Sequence, residues 1–151
     1  MFAAVAAAVS AGIAAFAAWV QWGTTRPKVR VTGETSTAMN STRTWPTMLN
    51  ITVQNRGVVP LVITSVGYNT HDKENLLTLF PVDPFGNAMQ GGPWRVEPGE
   101  ARSFYQTMEA AKEAATTYGG LTGVWALTAA GDRFRGELKP KPLREPKGAE
   151  G

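Results

Sequence analysis

Residues 1–22 contain no charged side chain, and no other feature of the chain restricts its fold as sharply. As a helix this stretch is roughly 33 Å long, close to the thickness of a bilayer's hydrocarbon core. Phe2, Val5, Val9, Ile13, Phe16 and Val20 supply its apolar bulk against Ser10, Gly12 and Gln21. A transmembrane helix over 1–23, contacting the lipid bilayer, and a linker over 24–27 are therefore expected. Trp19 and Trp22 fall where aromatic side chains anchor a span at the headgroups, and Arg26, Lys28 and Arg30 follow directly. Trp19, Trp22, Arg26 and Lys28 are thus the expected membrane-interface residues. Basic residues flank only the C-terminal side of the segment, which places the following domain in the cytoplasm under the positive-inside rule.

Two alternatives to a retained anchor stay open. One is a cleaved signal peptide, with a cleavage site after Ala15-Phe16-Ala17 but without a basic leading region. The other is an Ala-rich helix that packs against copies of itself. Ala4, Ala8, Gly12 and Ala15 form a small-residue stripe suited to helix–helix self-association, in lipid or in a phage or cell-envelope assembly.

The rest of the 151-residue chain suffices for one domain with a core. The formal net charge of +3 is concentrated at two places, residues 26–30 and the tail around Lys139, Lys141, Arg144 and Lys147. That distribution suits an anionic lipid surface and gives no expectation of nucleic-acid binding. There is no cysteine, and the single histidine, His71, sits in the polar run His71-Asp72-Lys73-Glu74. Thiolate chemistry, a histidine metal cluster and a nucleophile–base–orienter set cannot be assembled from these residue types. No catalytic residue, metal or cofactor is expected.

Beyond Pro27 the pattern changes to short alternating runs between turn residues. Val29 and Val31 open a first strand. Leu49, Ile51 and Val53 alternate with Asn50, Thr52 and Gln54, so one face of a second strand is buried. Asn55-Arg56-Gly57 supplies a turn, with Gly57 suited to positive φ, and Pro60 introduces a third strand through Leu61, Ile63, Val66 and Tyr68. Further strands are expected over 76–80, 100–106, 124–129 and 133–138. A long loop spans Pro81 to Pro98, and a short helix capped by Thr107 carries Met108, Ala111, Ala115 and Tyr118 on one side. The expected fold is a mainly β, seven-stranded, antiparallel immunoglobulin-like β-sandwich over 28–139 with one connecting helix, followed by a disordered tail over 140–151.

The runs Leu49-Asn50-Ile51-Thr52-Val53-Gln54-Asn55-Arg56-Gly57 and Pro60-Leu61-Val62-Ile63-Thr64-Ser65-Val66-Gly67 carry a resemblance, joined by Val96-Glu97-Pro98-Gly99-Glu100 and Gly131-Asp132-Arg133-Phe134-Arg135. Over most of 28–138 the chain resembles the small immunoglobulin-like domains, often behind one transmembrane helix, found as uncharacterised proteins in high-GC bacteria and their phages. The resemblance implies a fold and transfers no catalytic residue.

Trp45, Phe85 and Trp94 each lie beside a proline in an expected loop, where an aromatic side chain can anchor a protein partner. The competing reading folds them back to close the ends of the sandwich. The sequence as a whole points to a non-catalytic, single-pass membrane protein presenting a small β-sandwich to an unknown protein partner. Its alternative is a structural protein assembled through the Ala-rich helix.

Overall fold

The structure, a computed structural model, describes residues 2–39, 41–71, 76–78 and 80–139, with the side chains of 2–10, 24 and 76–78 outside the description. The expected tail over 140–151 lies outside the described residues.

Helix α1 (Phe2–Thr25) is uninterrupted, and its side chains from 11 to 23 are all exposed. Among the described residues no helix is long and apolar enough to cross a membrane. Part of the expected span, 2–10, falls where no side chain is described.

Among the described residues eight strands follow: β1 (Val29–Ser36), β2 (Met48–Asn55), β3 (Leu61–Thr70), β4 (Leu76–Thr78), β5 (Trp94–Val96), β6 (Ala101–Thr107), β7 (Leu121–Thr128) and β8 (Arg133–Leu138), with helix α2 (Met108–Thr117) between β6 and β7. They form one mixed sheet in the order β4-β3-β7-β8-β1-β2-β6, with β5 also paired to β3. The sheet curls nearly into a barrel. Its ends meet across the core, where Trp94 of β5 stacks edge-on against Phe104 of β6 with ring centroids 4.9 Å apart.

Two features correct the expectation of seven antiparallel strands. Trp94–Val96 is a strand inside the segment read as loop, pairing Leu61↔Val96 and Ile63↔Trp94. And β1 pairs in parallel with β8 through Thr32↔Glu137 and Gly33↔Leu138 while pairing antiparallel with β2. At that junction β8 lies so close to β1 that a Cβ on Gly136 would collide with the Val31 carbonyl.

The core follows the alternation in β2, where Leu49, Ile51 and Val53 are fully buried. Each contributes roughly 1.5–3 kcal/mol through its removal from water. Ile63, Val66, Tyr68, Val96, Phe104, Leu121, Val124 and Ala126 complete one continuous cluster, with Ala111 of α2 sealing its end. The α2 start is as its sequence predicts: the Thr107 hydroxyl accepts from the Ala110 amide at 3.3 Å. Tyr118, expected on the inward side of this helix, is exposed instead.

A buried asparagine ties the turns together. The Asn55 Nδ2 donates to the carbonyls of Val59 (2.8 Å) and Val96 (3.1 Å), and its Oδ1 accepts from the Gly57 amide at 2.9 Å. Its own amide and carbonyl bond to Glu100 and Gly99. Gly57 does not take the positive φ expected of it. What restricts that position is crowding, since a Cβ there would approach the Lys28 amide nitrogen at 3.2 Å and Asn55 Oδ1 at 3.3 Å.

The registers give the domain two distinct ends. Lys28 and the turns at 55–60, 97–100 and 129–132 lie at the end where α1 enters. The 37–47 loop, the start of α2 and the 81–90 segment lie at the other.

Candidate functional site

The far end brings two of the three singled-out aromatics together. The loop between β1 and β2 is closed by a bridge between Met39 and Thr44 and by the Trp45 amide donating to the Ala38 carbonyl at 2.9 Å. These bonds hold the half-buried Trp45 in place.

Phe85 is presented by a tight turn organised around Asp83. One carboxylate oxygen accepts from the amides of Phe85 (2.8 Å) and Asn87 (2.9 Å), and the other from the Asn87 side chain at 2.9 Å. These bonds, the Asn87 side chain first among them, hold the Asp83 carboxyl below the usual carboxylate range. The turn is fastened to β6 by the Val82 amide, which donates to the Tyr105 carbonyl at 2.9 Å.

The Trp45 and Phe85 rings consequently stand 4.9 Å apart at 59°, with Phe85 54% exposed. They wall a notch of about 250 Å³ whose lining includes Met48, Thr107, Met108 and Glu109. Met48 is buried and Met108 packs against the core, so the notch is built on the sheet and not on loops alone. The Arg43 guanidinium lies 5.0 Å from the Trp45 ring centre, a cation–π contact at the rim. Two aromatic rings and two thioethers make an adaptable apolar surface. Its volume falls below the range typical of small-molecule sites, roughly 300–1,000 Å³, and suits a single inserted side chain.

Trp94 does not belong to this site, which corrects its assignment as a loop anchor. It is 8% exposed in β5, and its indole N–H donates to the Gln90 carbonyl at 3.2 Å. Trp125, which the sequence did not single out, is also buried. Its indole N–H donates to the Tyr68 carbonyl at 3.0 Å, beneath the Arg133 guanidinium.

The four expected interface residues lie at the α1 end. Trp19, Trp22, Arg26 and Lys28 are all exposed, and the Arg26 guanidinium stacks over the Trp22 ring at 3.9 Å.

A second depression, about 590 Å³, crosses the outer face of β1, β2 and β8 between Arg30, Glu34, Glu137 and Lys139. Its charges cancel and it contains no aromatic ring. Among the described residues no group of three His, Asp or Glu is placed to hold a metal ion. The buried Tyr68 hydroxyl has no hydrogen-bond partner among the described residues, and burial pushes its phenol well above the ordinary range, so it stays protonated. His71 is an exposed loop residue whose amide donates to the Gly120 carbonyl.

A scan against protein-family models found no match to the chain, and a search of curated proteins found none either.

Proposed function

We propose that this chain is a non-catalytic, single-pass membrane protein whose helix α1 tethers a small β-sandwich domain, with the domain on the cytoplasmic side, and that the Trp45–Phe85 notch receives an apolar side chain of a protein partner. The observation that carries the reading is the convergence of these two rings over a notch at the end of the sheet remote from α1. A tethered module needs its contact surface facing away from the lipid. The tether is supported by the absence of charge over 1–22 and by the exposure of α1 on every side from 11 to 23.

We assign the sheet to the immunoglobulin-like class. Supporting this are the division into β1-β2-β6 and β8-β7-β3 sets around one core, and the pairing of the first strand with both the second and the last. The resemblance to membrane-anchored domains of high-GC bacteria and their phages agrees with this reading.

The test is site-specific photocrosslinking in membranes. A photoreactive phenylalanine at position 85 of the full chain should capture one discrete protein, and Trp45→Ala should abolish capture while leaving the domain folded. Capture that persists in Trp45→Ala would remove the notch from the proposal. The exposure of α1 equally suits a helix that packs on copies of itself in a phage or envelope assembly. Ordered high-mass particles in lipid-free buffer would favour that second reading.

A further inference from the structure

We infer that the turn between β2 and β3, residues 56–59, is a second membrane contact that seats the α1 end of the domain directly on an anionic lipid surface. The inference rests on the tether proposed above and adds to it an orientation for the domain.

Only Arg26, Pro27 and Lys28 separate the end of α1 from the start of β1. The β2–β3 turn is joined to this short connection, because the Arg56 amide donates to the Lys28 carbonyl at 2.7 Å. If α1 ends at the headgroups, so must this turn. At its tip stand Val58 and Val59, 69% and 44% exposed, adjacent in sequence and unusual for a turn in being large and apolar.

The charge around them has the sign an anionic bilayer requires. Arg26, Lys28, Arg30 and Arg56 are exposed on this side. The acidic groups of this end are Glu97, paired with Arg95, Glu100, whose carboxylate accepts from the Glu97 amide, and the exposed Asp132 of the 129–132 turn. The four basic residues thus outnumber the two carboxylates not paired with a cation, Glu100 and Asp132, and the excess positive charge is attracted to an anionic surface.

The turn is also rigid before any contact forms. Asn55 fixes both its ends through Gly57 and Val59, so little ordering is required when the valines enter the interface.

The chain has no cysteine, so single cysteines can carry an environment-sensitive fluorophore at Val58, at Ile13 in α1 and at Met39, an exposed residue of the opposite end. The full-length protein is reconstituted in phosphatidylcholine vesicles with and without phosphatidylserine, and quenching by lipid-borne nitroxide is measured. Quenching at Ile13 and Val58 several-fold above that at Met39, with the Val58 signal strengthened by phosphatidylserine, is the expected result. Quenching at Ile13 alone overturns the turn contact and leaves the tether standing. Absence of quenching at Ile13 removes both. A Val58 probe shielded in detergent in proportion to protein concentration would assign the turn to a contact between copies and overturn the lipid assignment. Val59→Cys repeats the measurement if Val58→Cys unfolds.

Discussion

The Asn55 side-chain amide donates to the Val96 carbonyl at 3.1 Å, joining the end of β2 to the end of β5 where both residues are essentially inaccessible to water. β2 pairs with β1 and β6 while β5 pairs with β3, so this side chain adds a hydrogen bond between two strands that do not pair with each other.

Asn55→Leu keeps the approximate size and removes three side-chain hydrogen bonds. The Val96 carbonyl is then left buried without this donor, and a buried polar group in that state costs about 1–3 kcal/mol. With the turn bonds also lost, urea unfolding should show a loss of about 2–4 kcal/mol. A loss below about 1 kcal/mol would mean that the strands close without the asparagine.

Gly136→Ala tests the parallel junction. The new methyl would collide with the Val31 carbonyl, and backbone cannot yield as a flexible side chain can. The expected loss is about 3 kcal/mol, with amide exchange accelerating at Thr32 and Gly33 before the rest of β1. Uniform exchange along β1 would show that the junction does not open separately.

Trp94→Ala and Trp45→Ala should separate cleanly. The first removes a ring packed on Phe104 in the core, for about 3–5 kcal/mol. The second empties a notch wall at the surface and should cost well under half of that, measured in the same urea titration. Equal losses would make the notch a part of the core and not a contact surface.

The Asp83 turn gives a pH dependence of defined sign. Because its carboxyl is held below the ordinary range in the folded state, its contribution is complete above the unfolded value and is lost as pH falls through the lowered folded value. A fluorinated phenylalanine at 85, followed by ¹⁹F NMR, should keep one sharp resonance at neutral and mildly acidic pH and broaden only under strongly acidic conditions. Asp83→Ala should show the broadened signal already at pH 7. A resonance indifferent to both would show that Asp83 does not order Phe85.

The parts of this fold written locally were legible. The alternation of Leu49, Ile51 and Val53 specifies a half-buried strand, and Thr107 specifies a helix start, because each signal lies within a few residues of its effect. The strand β5 was hidden because its three residues, Trp94–Val96, are too few to show a period. The parallel pairing of β1 and β8 leaves no local mark, since nothing near Thr32 encodes a partner at Glu137. The candidate site shows the same division. Proline neighbours Trp45, Phe85 and Trp94 alike, but only pairing of the Trp94 backbone with Ile63 decides that its ring turns inward.

That first-to-last pairing also governs how the domain can be made. In synthesis β8 emerges after every other strand, so the side of β1 destined for Thr32↔Glu137 remains an open edge while nearly the whole domain is already outside the ribosome. A nascent or prematurely terminated product lacking Leu138 would carry that edge, with the apolar cluster uncovered beside it, into contact with its neighbours. The domain is therefore most vulnerable to aggregation in the interval before β8 has emerged and docked beside β1.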